Sequence, residues 1–197
     1  MDADFFSQRT NIVAEQLIGK ILVVRHPLTK LIRVARIIET EAYRTNDIAS
    51  HCRNGWTPRC APMFEDPGYT YVYFIYGMHV MLNVVTEPRG IPGAVLIRAL
   101  EPHQGFPDHI DFQALSGPGK LTRELEISMA DNRQLLGGQR MKIKDDGVRP
   151  EKIIITPRIG IHEPEIKRPW RFCWANHPAL SRACENEKIF KSKKPKW

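Results

Sequence analysis

Tyr69-Thr70-Tyr71-Val72-Tyr73-Phe74-Ile75-Tyr76, then Gly77-Met78-His79, then Val80-Met81-Leu82-Asn83-Val84-Val85: this stretch decides the fold. Aromatic and β-branched residues dominate both runs, and such side chains suit the pleated surface of a sheet. Alternation sets Tyr69, Tyr71 and Tyr73 on one face of the first strand and Thr70, Val72 and Phe74 on the other. Gly77 interrupts the pattern, so Tyr76 falls at the strand end, where a side chain can project outward. Beyond a Gly- and Pro-rich turn at Glu87–Gly93, Ala94–Leu100 reads as a further strand.

Working outward, Ile12, Val13, Leu17 and Ile18 recur at helical spacing, which predicts a helix over Thr10–Leu17 ended by Gly19. Ile21–Arg25 and Leu31–Tyr43 read as hairpin partners around a proline turn at His26–Lys30. Asn46–Phe64 is long and polar, and a loop of that length inside a compact domain is usually functional. Downstream, Ser116-Gly117-Pro118-Gly119-Lys120 turns into a short helix reaching about Met129. Lys152–Thr156 and Trp170–Trp174 are short strands. Hairpins with few helices imply an α+β fold with a largely antiparallel sheet. No linker or repeat divides the chain, so one domain over 1–187 and a basic tail over 188–197 are expected.

Of 197 residues, 42% are hydrophobic and 26% charged, a balance that argues against wholesale disorder. The longest apolar runs, Ile21–Val24 and Gly93–Ile97, fall short of the roughly 20 residues that span a bilayer. Met1-Asp2-Ala3-Asp4 is acidic and lacks the apolar core of a signal peptide, so a cytoplasmic protein without a membrane partner is expected. A net charge of +7 suits a polyanion. Lys188, Lys191, Lys193, Lys194 and Lys196 add to it at the C-terminus, where both a solvated tail and a nucleic-acid arm remain open readings. The four cysteines, Cys52, Cys60, Cys173 and Cys184, lack C-x-x-C spacing; free thiols are expected, and no metal site.

Three features carry chemistry. All five tyrosines lie between Tyr43 and Tyr76, which fits either core packing or a platform on which nucleobases stack. Glu39 and Glu41 sit two apart on a strand, hence on one face, where like charges need water, a metal or a cation. Arg98 stands alone in Ala94-Val95-Leu96-Ile97-Arg98-Ala99-Leu100; a desolvated guanidinium there requires a partner, and a glutamate is the obvious one. A carboxylate, an arginine and convergent rings match the needs of sugar–base hydrolysis: a general base for water and a pocket for an extruded base. Electron-rich tyrosine faces favour a cationic base such as an alkylated purine, which leaves without prior protonation.

Ile38-Glu39-Thr40-Glu41-Ala42-Tyr43, His51, Met63-Phe64, Tyr71-Val72-Tyr73, Ile75-Tyr76-Gly77-Met78, Asn83, Leu96-Ile97-Arg98-Ala99-Leu100-Glu101-Pro102 and Ser116-Gly117-Pro118-Gly119-Lys120-Leu121 stand in an order that closely resembles the alkyladenine (3-methyladenine) DNA glycosylase family, monofunctional base-excision repair enzymes. The resemblance runs from Phe5-Phe6 to about Trp174. It implies a single mixed domain with a curved antiparallel sheet and peripheral helices. Glu41 would be the general base, with Arg98 and the backbone near Ile159 helping to hold the attacking water. Tyr43 and His51 would stack on one side of the flipped base and Tyr73 on the other, with Asn83 and Leu96 lining the pocket. Tyr76 would be the wedge pushed into the duplex, supported by Met78, and Lys120 would bind backbone phosphate. The implied enzyme is a monomer acting on damaged purines, alkylated or deaminated, in double-stranded DNA, without cofactor or lyase activity, in a bacterial nucleoid or a eukaryotic nucleus. The Cys52 and Cys60-Ala61-Pro62 stretch and His79 depart from the family pattern.

Two other classes of function fit the sequence less well. A binding module that had lost catalysis would lack an acid–base residue at position 41, yet Glu41 is present. A small-molecule nucleoside hydrolase would have no use for a protruding Tyr76 or the positive charge, and salt would weaken it little.

Overall fold

A computed structural model of the chain describes residues 1–161 and 168–182. The basic tail and Cys184 lie outside the described residues.

Helices α1 (Ala3–Phe6) and α2 (Thr10–Gln16) lead into strands β1 (Ile21–Arg25) and β2 (Ile32–Arg44). The long loop closes with a 3-10 turn at Ala61–Phe64, ahead of β3 (Thr70–Ile75), β4 (His79–Val85) and β5 (Gly93–Gln104). Then follow α3 (Pro118–Glu124), β6 (Met141–Lys144), β7 (Ile153–Thr156) and β8 (Arg171–Trp174). Among the described residues each strand pairing is antiparallel; the order is β3-β4-β5-β2-β1-β6, with β8 pairing both β2 and β7. The α+β expectation therefore holds: few helices dress one curled antiparallel sheet.

β2 is the spine. One edge runs along β5, while the other is shared, Ile32–Arg36 pairing with β1 and Glu39–Glu41 with β8. Apolar side chains of α2 and α3 (Val13, Ala14 and Leu121) join Leu22, Ile37, Leu82 and Ile97 of the sheet in the main core. Thr40 Oγ donates to Ala14 O at 2.7 Å, which ties α2 to the spine.

Three features depart from the expectations. The helix after Ser116 ends at Glu124, not near Met129, and Glu126 takes a positive φ of 52°. β6 was not foreseen, although Met141-Lys142-Ile143-Lys144 alternates buried and exposed. β5 runs four residues past Leu100, to Gln104.

Candidate active site

The pairing of β2 with β5 carries irregularities at Ile37/Glu39 and Glu39/Thr40. Glu39 pairs with Ala99 but Thr40 pairs with Ile97, so Arg98 is the extra residue of a bulge. Bulges re-aim side chains, which accounts for a cation inside so apolar a run. The Arg98 Nε lies 3.4 Å from Glu39 Oε1 and 3.3 Å from Glu41 Oε1. Both carboxylates are fully buried, so the reading of this face as solvated is excluded. Arg98 is the cation they require, and β8 supplies a second. Arg171 Nε donates to Glu39 Oε1 at 2.7 Å, while Ser181 contributes its N–H and hydroxyl to the same carboxylate. Glu39 is thus saturated and structural.

Glu41 is served differently. Its Oε1 accepts the Ile159 N–H at 2.8 Å and its Oε2 accepts the Tyr43 hydroxyl at 2.9 Å. These occupy two of about four acceptor directions of a carboxylate, while Arg98 Nε approaches as a charge without a hydrogen bond. The backbone at Ile159 thus reaches the carboxylate directly through its N–H.

A pocket of about 310 Å³ lies against this cluster. Glu41 sits just behind its wall, and its three partners Tyr43, Arg98 and Ile159 line it. Tyr73, His51, Asn83 and Leu96 complete the set read from the sequence. The geometry follows from register: Tyr71 faces Asn83 across β3 and β4, and Asn83 faces Leu96 across β4 and β5. His51, on the long loop, meets the Tyr73 ring edge-on at 4.6 Å between centroids, and its Nδ1 is 2.8 Å from the Tyr71 hydroxyl. Asn83 is anchored by donating to Tyr71 O at 3.0 Å.

Burial sets the protonation states. It holds the Tyr43 phenol well above its ordinary value, reinforced by the Glu41 charge, so this hydroxyl remains a donor. Burial likewise pushes Tyr73 up to about 12. Burial, with Arg59 nearby, lowers His51 to about 4, which leaves its ring neutral at pH 7. A pocket walled by neutral rings, with the Arg98 guanidinium in its wall and one carboxylate behind it, suits a flat ring system.

At the mouth, Tyr76 and Gly77 form the centre of the β3–β4 turn, closed by the Met78 N–H to Ile75 O at 3.3 Å. Both central residues have positive φ, 53° and 70°. Such turns ordinarily take Asn-Gly, and a bulky side chain at the first position is strained. Tyr76 is nevertheless held there 86% exposed, with Met78 70% exposed beside it. Lys120 stands apart from the ring pocket, in an adjoining groove with His79 and Arg123, where its ammonium donates to Gln113 O. Sequence reading missed Asp47 and Arg158, which form a fully buried ion pair behind Tyr43. Cys52 and Cys60 are buried free thiols packed with Met63 beneath the pocket. Among the described residues no cluster of three or more potential ligands could hold a metal ion, and no helix is long and apolar enough to cross a membrane.

Known proteins are similar to this chain over most of its length. A protein of Anaeromyxobacter dehalogenans (strain 2CP-C) is 44% identical over 184 residues, 89% of this chain and 86% of its own. One from Prosthecochloris aestuarii is 42% identical over 91% of this chain and 90% of its own. One from Methanocella arvoryzae is 40% identical over 91% and 94%. All three carry the name "Putative 3-methyladenine DNA glycosylase". The model of the methylpurine-DNA glycosylase family matches residues 4–178, and the chain belongs to that family.

Proposed function

We propose that this protein is a monofunctional glycosylase that draws a damaged purine out of duplex DNA into the ring-lined pocket and hydrolyses its N-glycosidic bond. The observation that carries the reading is the Glu41 carboxylate, buried against Arg98 and in hydrogen-bond contact with two residues of the pocket wall. Tyr43 faces one side of the extruded base and the edge-to-face pair of His51 and Tyr73 the other, with Asn83 and Leu96 at its edges; the contact between these two rings moves His51 from the side expected on resemblance. Glu41 takes a proton from water as the oxygen attacks C1′ of the sugar. The electrons of the C1′–N bond leave with the base, and the guanidinium of Arg98 stands 3.3 Å from the carboxylate. A purine alkylated at N3 or N7 is already cationic, so for it a single carboxylate suffices and no cofactor enters.

Tyr76, supported by Met78, fills the space that the base vacates, and Lys120 meets backbone phosphate. The attacking nucleophile is water, and among the described residues no lysine lines the pocket to form a Schiff base, so the strand stays intact. Residues 1–187 act as one domain, as a monomer on double-stranded DNA, with the lysine-rich end as an accessory cationic segment. Incubation with duplexes carrying one defined lesion each tests this reading. Cleavage only after alkaline heating is the expected result; strand breaks without it, or none with any alkylated purine, would contradict it.

A further inference from the structure

The buried pair Asp47–Arg158 is not explained by the chemistry above. Arg158 Nη1 donates to Asp47 Oδ2 at 2.5 Å and Nη2 to Asp47 Oδ1 at 2.8 Å, a two-pronged contact. Both side chains are fully buried. The guanidinium also donates to Ala42 O at 2.8 Å. It sits 4.4 Å over the Tyr43 ring, and the Trp170 ring lies 5.3 Å away. Removing two charges from water costs several kcal/mol per ion, so the pair is a poor way to gain stability alone.

Its connections suggest another use. Asp47 opens the loop that carries Ala49 and His51 of the pocket wall. Ala42 and Tyr43 follow Glu41 directly on β2. Arg158 is one residue before Ile159, whose N–H reaches Glu41 and which starts the wall Ile159-Gly160-Ile161. One guanidinium therefore joins the three segments that meet around the carboxylate.

We infer that Arg158, held by Asp47, is a positioning residue that fixes the Ile159 N–H and the Tyr43 hydroxyl on Glu41. The inference rests on the reading of Glu41 as the base. Without the pair, the wall segment and the Tyr43 ring lose their common anchor, and the carboxylate loses the donors that orient it. Binding of DNA at the mouth, through Tyr76 and the cationic surface, is left as it was. The signature is a loss in the chemical step with affinity preserved.

The test uses Asp47→Asn, which keeps shape and one acceptor, together with Arg158→Lys and the double variant. Single-turnover release of 3-methyladenine or 7-methylguanine is measured below each variant's melting transition, beside affinity for a lesion-free duplex. The expected result is a release rate at least tenfold lower for each single variant, duplex affinity within threefold of the parent, and no further tenfold loss in the double variant. Release at the parental rate would overturn the inference. So would rate and affinity falling together in step with the unfolded fraction, which would make the pair structural only. A parent protein that releases no methylated base would instead refute the reading of function.

Discussion

Tyr76→Asn separates folding from function at a single position. Residues 76 and 77 both occupy left-handed backbone, and Tyr76 does so at φ 53°. For an L-residue other than Gly or Asn this region costs about 1–2 kcal/mol. Asparagine relieves it by bonding its own backbone and is the preferred occupant of such turns. The tyrosine ring is 86% exposed, so its loss forfeits almost no packing in the free protein. The substitution is therefore expected to stabilise the protein by about 1 kcal/mol, or roughly 2–4 °C in Tm for a chain of this size. Capture of a lesion should move the other way. A ring stacked on a nucleobase is worth about 1–3 kcal/mol, so base release at limiting enzyme should fall on the order of tenfold to a hundredfold. Thermal melting and single-turnover base release with sub-saturating enzyme read the two effects. A lower Tm would show that the ring is held by packing that the structure does not contain. An unchanged release rate would remove Tyr76 as the wedge.

Three further outcomes follow from the same geometry. Arg171→Met leaves the fully buried Glu39 with Arg98 as its remaining cation, and denaturant melts should show a loss of about 3–5 kcal/mol; a loss under 1 kcal/mol would deny that Glu39 depends on β8. The folded-state pKa of His51, about 4, lies below the unfolded value near 6.5, so the unfolded chain binds the extra proton between them. Stability from the neutral ring is complete above about pH 6.5 and declines as pH falls toward 4; the Tm drop from pH 7 to pH 5 should shrink in His51→Gln, and an unchanged drop would mean that the ring is not desolvated. Affinity for duplex DNA should fall steeply and linearly on a log–log plot against salt, whereas a flat line would exclude phosphate contacts by Lys120 and its neighbours.

Periodicity made most of the sheet legible, because period-two alternation is a local property. β1 appears at its predicted limits, and the Tyr76 turn stands where Gly77 interrupts the aromatic run. The pairing of Arg98 with glutamate was also readable, since a lone charge in an apolar strand has few ways to exist. The bulge that makes Arg98 reach both Glu39 and Glu41 was not readable, because register shifts depend on the partner strand. Arg171 lay inside a strand recognised for its aromatics, yet nothing local marked it as the second cation of Glu39. Asp47 and Arg158 stand 111 residues apart, and neither flank suggests burial. β6 was missed for a different reason: four alternating residues between turns carry too short a signal.

The account turns on Glu41, and its most direct measurement is single-turnover release of a methylated purine by Glu41→Gln, with lesion-duplex affinity determined on the same preparation. Glutamine preserves shape and can still meet Tyr43 and Ile159, but it cannot take a proton from water. Base release should fall by at least a hundredfold while the lesion duplex binds as before. Release at a rate near that of the parent would contradict the account.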